Sequence, residues 1–159
     1  MLVFHSSKFI VEKPDIAHSR DYLDFGRGFY VTTILDQAVK YAERFKRRSN
    51  DAWLNYYEFN YNPSEWKVLE FKSYDEVWLD FVADCRSGKT YNDYDIVIGG
   101  IANDKVFRTV DLYFSGDMTK DEALKRLVFE NPNNQLCIRN QKLLDKCLTF
   151  IKCEKYESR

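Results

Sequence analysis

The chain has 159 residues and a mass of 19.0 kDa, enough for one domain with a buried core and too little for two ordinary domains. Hydrophobic residues make up 45%, charged residues 31% and aromatic residues 16%, values of a soluble globular protein with a surplus of side chains suited to sheets and stacking sites. The net charge of −1 and the pI near 6.1 exclude an overall positive field that attracts nucleic acid, although a local basic face stays open.

No stretch of the sequence approaches the length of a membrane span, and the N-terminus has no basic region followed by an apolar run and a cleavage site. We therefore expect a cytoplasmic protein. The cysteines form no Cys-x-x-Cys pair, and with two histidines in the chain no zinc spacing can be assembled. We expect no metal, and we expect reduced, partly buried thiols at Cys85, Cys137, Cys147 and Cys153.

Runs of aromatic and β-branched residues predict the strands. They cover residues 2–4, the run after Gly28, 53–61, 66–71, 94–98, 135–138 and 148–156, with a further extended segment at 9–11. The first strand is expected to end at His5, and residues 12–23 to form a loop with a helical turn. Asn62-Pro63-Ser64 predicts a β-hairpin between the strands on either side of it. No repeat or linker divides the chain, which predicts one domain over 1–159.

Apolar residues three and four positions apart predict the helices, at 36–48, from 73 to about 88, 103–114, 119–129 and 141–147. Ser73-x-x-Glu76 and Thr119-x-x-Glu122 have the capping-box pattern, so each is expected to begin a helix. The buried stripe of the helix near 73–88 is predicted to be Val77, Trp78, Phe81, Val82 and Cys85. The basic end of the first helix, residues 44–48, complements the helix dipole; a phosphate-contacting patch is the alternative.

Residues 24–33, Asp-Phe-Gly-Arg-Gly-Phe-Tyr-Val-Thr-Thr, form a turn that leads into a strand. Gly26 and Gly28 allow a positive φ or a close backbone approach that a Cβ atom would block. A flat ligand could then lie against this main chain beside Phe29 and Tyr30. The alternative is a hairpin turn whose aromatic residues belong to the core.

Three strand-associated segments stand out: His5-Ser6-Ser7, Phe25 to Thr33, and Asn134-Gln135-Leu136-Cys137-Ile138. P-loop, Rossmann and Gly-x-Ser-x-Gly signatures are absent. Together the three segments resemble the ADP-ribosyltransferase fold of the diphtheria-toxin and poly(ADP-ribose) polymerase type. The resemblance implies an α+β fold with two small sheets around an NAD cleft and helices outside. It also implies that NAD is the substrate and that His5, Tyr30 and Gln135 are the catalytic residues.

Further runs of the sequence resemble a family of small bacterial ADP-ribosyltransferase-like proteins, discussed as toxins with small antitoxin partners. These runs are Asp24 to Tyr30, Trp78-Leu-Asp-Phe81, Tyr94 to Asp104, and Asn134 to Ile138. The resemblance implies a macromolecular acceptor, either protein or nucleic acid, and an antitoxin partner. Asp95, Asn103 and Asp104 match the family without a physical role beyond capping and turn formation.

Cleavage of the nicotinamide–ribose bond passes through an oxocarbenium-like species, so a site must hold the leaving group and stabilise positive charge at the ribose. The His5 imidazole can bind a ribose hydroxyl, and the backbone of Ser6 can bind the nicotinamide carboxamide. A second tyrosine, Tyr41, follows Tyr30 by eleven residues, and the two rings can hold the pyridinium ring between them. Arg27 or Arg20 can meet the pyrophosphate. The implied NAD-binding residues are His5, Ser6, Ser7, Arg20, Gly26, Arg27, Gly28, Phe29, Tyr30 and Tyr41.

The sequence departs from the family pattern at two positions. Ser6 stands where glycine is common, which requires a negative φ there. Gln135 replaces the usual glutamate and carries no charge, so we expect mono-transfer or NAD hydrolysis and no polymer synthesis. Two other functions stay open: a catalytically silent NAD-binding or protein-interaction module of the same fold, and ADP-ribose transfer to nucleic acid.

Overall fold

The computed structural model describes residues 1–89, 93–101, 104–130 and 133–157. Over these ranges the chain is an α+β structure with two β-sheets and five α-helices. The strands are β1 (Leu2–Ser7), β2 (Phe29–Val31), β3 (Trp53–Phe59), β4 (Val68–Glu70), β5 (Ile96–Gly99), β6 (Gln135–Ile138) and β7 (Leu148–Lys155). The helices are α1 (Leu35–Ser49), α2 (Glu76–Arg86), α3 (Asp104–Phe114), α4 (Lys120–Leu127) and α5 (Gln141–Cys147), with a 3-10 turn at Ile16–His18.

The first sheet is antiparallel, with the strand order β1-β3-β7. Its first strand does not end at His5 as predicted, because pairing with β3 continues to Ser7 opposite Trp53. The predicted extended segment at 9–11 is not a strand. The buried side chain of Asn55 accepts from Val11 N (2.9 Å) and donates to Phe9 O (3.3 Å), which takes the place of strand pairing.

The second sheet has the strand order β2-β6-β5-β4, and β4 pairs with β5 in parallel. The predicted hairpin is therefore wrong, because β3 and β4 lie in different sheets. The turn itself is present: Glu65 N donates to Asn62 O (3.0 Å), and Ser64 N donates to Asn62 Oδ1 (3.1 Å). A local turn signal does not specify which strands its flanking segments join.

The two sheets meet where β1 passes the end of β2, at a β-bridge between Phe4 and Thr32 with hydrogen bonds of 2.8 and 3.0 Å. Apolar residues fill three layers. One cluster lies between the sheets, one between α1 and the first sheet, and one between the second sheet and helices α2–α4. They are centred on Val3, Tyr57 and Ile138; on Phe4, Ala42 and Leu54; and on Phe25, Trp78 and Val97.

Helix α2 begins differently from the prediction. Its N-cap is Asp75, whose carboxylate accepts from Trp78 N (2.9 Å), and Ser73 instead donates to the Asp75 side chain. Asp75 takes the cap because it directly precedes the first helical residue. Val77 is 65% exposed and does not belong to the buried stripe. The buried residues of α2 are Trp78, Leu79, Phe81, Val82 and Cys85.

The remaining helices follow the predictions closely. Thr119 caps α4, accepting from Glu122 N, but the helix ends at Leu127 and leaves Phe129 86% exposed. Helix α3 is described from Asp104, and its predicted start at Asn103 lies outside the described residues, as do Asn131 and Pro132 of the predicted loop. At the basic end of α1, Arg44, Arg47 and Arg48 are exposed, as expected of a solvated helix end.

All four thiols are free, with Cys85 and Cys137 buried and Cys147 and Cys153 half-buried, as predicted. None of the described helices is both long enough and apolar enough to cross a bilayer. Within the described ranges, no group of three or more His, Cys, Asp or Glu side chains could hold a metal ion.

Candidate functional site

The glycine turn, residues 24–28, is held by the side chain of Tyr30. The Tyr30 hydroxyl donates to Gly26 O (2.5 Å) and accepts from Phe25 N (3.1 Å). Its ring lies nearly parallel to the Phe25 ring, with 6.5 Å between the centroids. Burial raises the pKa of Tyr30 well above its usual value, because the phenolate would be desolvated. The phenol is therefore neutral and stabilises the turn.

The two glycines of this turn serve different purposes. Gly26 has a φ of 76°, a conformation that favours glycine. At Gly28, a Cβ atom would overlap the Cys137 Sγ atom and would lie 2.8 Å from the carbonyl oxygen of Ile138. The close backbone approach predicted at Gly28 is thus an approach to β6. Phe29 is buried in the cluster between the sheets, so the core interpretation of the predicted turn is right for this residue.

His5 lies on β1 beside β2. Its Nδ1 atom is 2.7 Å from Tyr30 O, and because a carbonyl oxygen only accepts, Nδ1 carries the proton. The imidazole also packs 4.4 Å from the Phe29 ring, measured between centroids. Burial lowers the pKa of His5 below its ordinary value of 6.5, so the ring is neutral at pH 7 and its Nε2 atom is a hydrogen-bond acceptor.

The serines after His5 are used locally. Ser6 Oγ donates to Ala38 O on α1 (2.5 Å), and Ser7 Oγ accepts from Phe9 N (3.1 Å). Ser6 has no positive φ, so its extended backbone is compatible with a serine at this position. Tyr41 is half-buried one turn of α1 after Ala38, and the Arg44 guanidinium lies 5.4 Å from its ring centroid.

Gln135 begins β6, where it is 5% exposed and pairs with Gly99 on β5. The first turn of α1 joins this end of β6 to the end of β2. In the amide orientation that satisfies both of its polar atoms, Gln37 donates to Asn134 O (2.9 Å) and to Thr32 Oγ1 (2.9 Å), and accepts from Asn134 N (3.2 Å). Thr33 Oγ1 donates to Asn134 Oδ1 (2.9 Å).

These contacts bring most of the predicted site residues close to one another. The His5 ring contacts the backbone carbonyl of Tyr30, whereas the Tyr30 ring packs beside Phe25 in the cluster between the second sheet and helices α2–α4. Strand β2 pairs with β6, and α1 contacts both Ser6 and the residue before Gln135. The two arginines predicted to meet the pyrophosphate are not in this group. Arg20 is exposed, and the exposed Arg27 forms an ion pair with Asp21 at 3.1 Å.

A cavity of about 740 Å³ opens at the other end of β6. We call it the Arg139 cavity. It is lined by Ile16, Asp21, Tyr22, Gly26, Arg27, Cys85, Gly88, Lys89, Tyr94, Asp95, Arg139, Asn140 and Gln141. Gly26 and Arg27 are the predicted site residues that line it, whereas His5, Tyr30, Tyr41 and Gln135 do not.

Asp95 and Asp24 reinforce this end of the molecule. The Asp95 carboxylate accepts from Lys67 N and from Asn140 Nδ2, both at 2.9 Å, and its carbonyl oxygen accepts from Arg139 N at 2.7 Å. Asp95 therefore joins the segments before β4 and after β6. Asp24 forms an ion pair with Arg86 of α2 at 2.7 Å, with both side chains largely buried (13% and 11% exposed). This pair anchors the glycine turn to α2.

A family model described as "Protein of unknown function (DUF3990)" matches residues 1–150. The chain belongs to this family. No curated protein and no solved structure matches the chain. The family match includes β1, β2, β6 and α1, so all of the segments that carry the predicted site lie within it.

Several residues of the Arg139 cavity were not predicted from the sequence, namely Tyr22, Lys89 and Arg139 itself. Arg139 directly follows the predicted strand at 135–138, and this position is the sequence feature that could have marked it as a candidate site residue. It was not decisive, because an arginine after a strand is common in a chain with 24 basic residues.

Proposed function

We propose that this chain is an NAD-dependent mono-ADP-ribosyltransferase and that it acts as the toxin of a bacterial toxin–antitoxin pair. One pattern of contacts supports this function: the three segments that carry the resemblance adjoin one another. The His5 ring binds the backbone of Tyr30, β2 pairs with β6, and Gln37 joins Thr32 to Asn134, the residue before Gln135.

In this proposal, His5 binds the nicotinamide ribose. Its Nδ1 proton is committed to Tyr30 O, and the neutral ring leaves Nε2 to accept from a ribose hydroxyl. Tyr30 and Tyr41 hold the cationic nicotinamide ring, a contact that contributes about 2 kcal/mol when water is excluded. Because the Tyr30 hydroxyl already binds the glycine turn, its ring is oriented before the ligand arrives.

Gln135 determines the type of transfer in this proposal. Its amide oxygen can accept from the ribose 2′-OH, but it carries no negative charge to stabilise an oxocarbenium species or to activate a hydroxyl. We therefore propose slow mono-transfer or NAD hydrolysis. The neutral side chain also favours a second candidate, a module that binds NAD without transferring ADP-ribose.

Incubating the protein with NAD labelled in its adenylate part, with and without cell extract, tests the proposal. Label on protein or on nucleic acid supports transfer and identifies the acceptor. A nucleic-acid acceptor would contact the exposed arginines at the end of α1, within residues 44–48. Release of free ADP-ribose supports hydrolysis, and NAD binding without product supports the silent module.

Variants connect the result to the site. We expect His5→Ala and Tyr30→Ala each to weaken NAD binding, and Gln135→Ala to lower turnover more than affinity. His18→Ala is the matched control, because His18 has an 87% exposed side chain outside the proposed site. If NAD titration curves are unchanged in both the His5 and Tyr30 variants, the site assignment is wrong.

A further inference from the structure

The Arg139 cavity has the size and wall chemistry of a small-molecule site. Its volume of about 740 Å³ lies in the range of ligand pockets, about 300 to 1,000 Å³. Three cationic side chains line it, Arg27, Lys89 and Arg139, against two carboxylates, Asp21 and Asp95. Arg27 pairs with Asp21 and Lys89 pairs with Asp84 (3.7 Å), so Arg139 is the lining cation for which no ion pair with a carboxylate is found among the described residues.

Arg139 contributes a hydrogen-bond donor that the protein does not use. Its Nη1 atom is buried and has no hydrogen-bond partner among the described residues. Buried polar groups are nearly always paired, and an unpaired guanidinium nitrogen is costly because it loses its contact with water. Its Nη2 atom lies 3.8 Å from the position of a Cβ atom at Gly26, so the guanidinium lies against the glycine turn.

The described carboxylates around the cavity are already engaged with other groups, including Asp84 with Lys89 and Asp24 with Arg86. The Asp95 carboxylate accepts from Lys67 N and Asn140 Nδ2, and Asp21 pairs with Arg27. The two thiols near the guanidinium are neutral at pH 7, because burial raises the pKa of Cys85 to about 11 and that of Cys137 to about 12. An anionic ligand would therefore complete the electrostatics of this site.

An exposed aromatic ring stands at the edge of the same cavity. Tyr22 is 65% exposed and has a φ of 65°, a strained conformation for a bulky residue. Its ring lies over Gly88, where a Cβ atom would come within 2.7 Å of Tyr22 Cε1. The backbone strain and the glycine beneath the ring hold a flat apolar surface beside the cations, which suits a flat heterocycle.

We propose that the Arg139 cavity binds a nucleotide, with Arg139 holding its phosphate groups and Tyr22 stacking on its base. Guanidinium matches phosphate oxygens in charge and in planar geometry. Arg139 lies four residues after Gln135, which at about 3.3 Å per residue of extended chain separates the two proposed sites by about 13 Å. The ligand is either a free nucleotide or the ADP half of a longer dinucleotide, and both present the same diphosphate chemistry.

Calorimetric titration of the full chain with ADP and with inorganic pyrophosphate tests this site. We expect the wild type to bind both, and Arg139→Met to weaken both by about tenfold or more. Arg126→Met is the matched control, because Arg126 is exposed on α4; it should leave both affinities unchanged. In Tyr22→Asn, the asparagine tolerates the positive φ and the ring is removed. This variant should therefore bind ADP more weakly and pyrophosphate as tightly as the wild type.

Thermal unfolding of the ligand-free variants gives a second readout. Because Arg139 Nη1 makes no hydrogen bond to any residue that the structure describes, Arg139→Met should leave the Tm unchanged or raise it. A lowered Tm with unchanged ADP affinity would mean that the arginine is structural and would overturn the proposal. So would a wild-type protein that binds neither ADP nor pyrophosphate at millimolar concentration.

NAD titrations distinguish the two sources of the ligand. If the site holds the ADP half of NAD, Arg139→Met weakens the binding of NAD and of ADP alike. If it holds a free nucleotide, Arg139→Met weakens the binding of ADP only. Both results support the phosphate site. The test does not depend on transferase activity. We expect ADP binding to survive in His5→Ala, so a failure of the proposed transferase and a failure of this site are distinguishable.

Discussion

The two ends of β6 differ in how completely the protein satisfies its own polar groups. At the Gln135 end, Gln37 bonds to Thr32 and Asn134, and His5 Nδ1 is committed to a backbone carbonyl oxygen. At the other end, a guanidinium nitrogen of Arg139 is buried beside a large cavity and has no hydrogen-bond partner within the described part of the chain. A satisfied network rigidifies a site, whereas an unsatisfied donor is left for a ligand to complete.

This difference separates two ways of preparing a binding site. In the proposed function, ligand groups at the Gln135 end would meet side chains whose orientation is already fixed, and affinity would come from atoms such as His5 Nε2 that the network leaves open. At the proposed site around Arg139, the ligand itself would supply the missing partner. Mutations that disturb the protein's own network should therefore cost stability, and mutation of Arg139 should not.

The largest expected effect is at the ion pair that anchors the glycine turn to α2. Asp24→Asn leaves the Arg86 guanidinium largely buried without its charge partner, and we expect the free energy of unfolding to fall by about 3 kcal/mol. Chemical denaturation measures this loss. The double variant Asp24→Asn/Arg86→Met should be more stable than the single variant, because it removes the unpaired charge.

Asp21→Asn is the matched control for that experiment. It breaks the ion pair with Arg27, in which the two side chains are 59% and 47% exposed, so the loss should stay below about 1 kcal/mol. If Asp24→Asn and Asp21→Asn lower the free energy of unfolding equally, burial does not make the first ion pair stronger than the second.

The next effect concerns the contact of Gly28 with β6. In Gly28→Ala the added methyl group overlaps Cys137 Sγ and approaches the Ile138 carbonyl oxygen, which is backbone and cannot move aside. We expect a loss of about 2 to 3 kcal/mol. Adding Cys137→Ala should recover part of the loss and no more, since the clash with the carbonyl oxygen remains.

Gly26→Ala separates strain from crowding. A Cβ atom there meets its nearest neighbours at 3.8 and 3.9 Å, so only the positive φ opposes it. The expected loss is about 1 to 2 kcal/mol. A larger loss than in Gly28→Ala would contradict the assignment of the two glycines to different purposes.

The smallest effect is the pH dependence contributed by His5. The unfolded chain takes up a proton near the ordinary pKa of 6.5, but the folded chain does so only at its lower pKa. The free energy of unfolding should therefore fall as the pH drops below 6.5, until folded His5 also protonates. Urea unfolding between pH 7.5 and 5.5 should show a weaker pH dependence of the free energy of unfolding in His5→Asn than in the wild type, and an equal dependence in the two proteins would contradict the prediction.

The sequence predicted those parts of the fold that depend on local interactions. The helices and most strands follow from spacing and turn residues, and Thr119 caps α4 as expected. The hairpin prediction was wrong because β4 pairs in parallel with β5, whose register depends on residues far along the chain. At α2, the predicted capping box at Ser73 is not used, because the helix begins at Glu76 and Asp75 caps it.

The candidate site was predictable to a similar extent. The segments that contain His5, Tyr30 and Gln135 adjoin one another in the structure, through the contact of His5 with Tyr30 O and the pairing of β2 with β6. That these residues bind NAD stays a prediction. The purpose of Gly28 was not predictable, since it depends on the neighbouring strand. Nor was the proposed role of Arg139, because it rests on the lack of a hydrogen-bond partner among the residues that the structure describes, which is a property of the three-dimensional surroundings.

The position of Arg86 has an evolutionary consequence. While it binds Asp24, its guanidinium also lies 4.3 Å from the centroid of the Phe107 ring, so one side chain joins the glycine turn, α2 and α3. A lysine has no planar group that can serve both contacts. Lineages that lose the acid at position 24 should also lose the arginine, and the two positions are expected to covary among relatives instead of drifting independently.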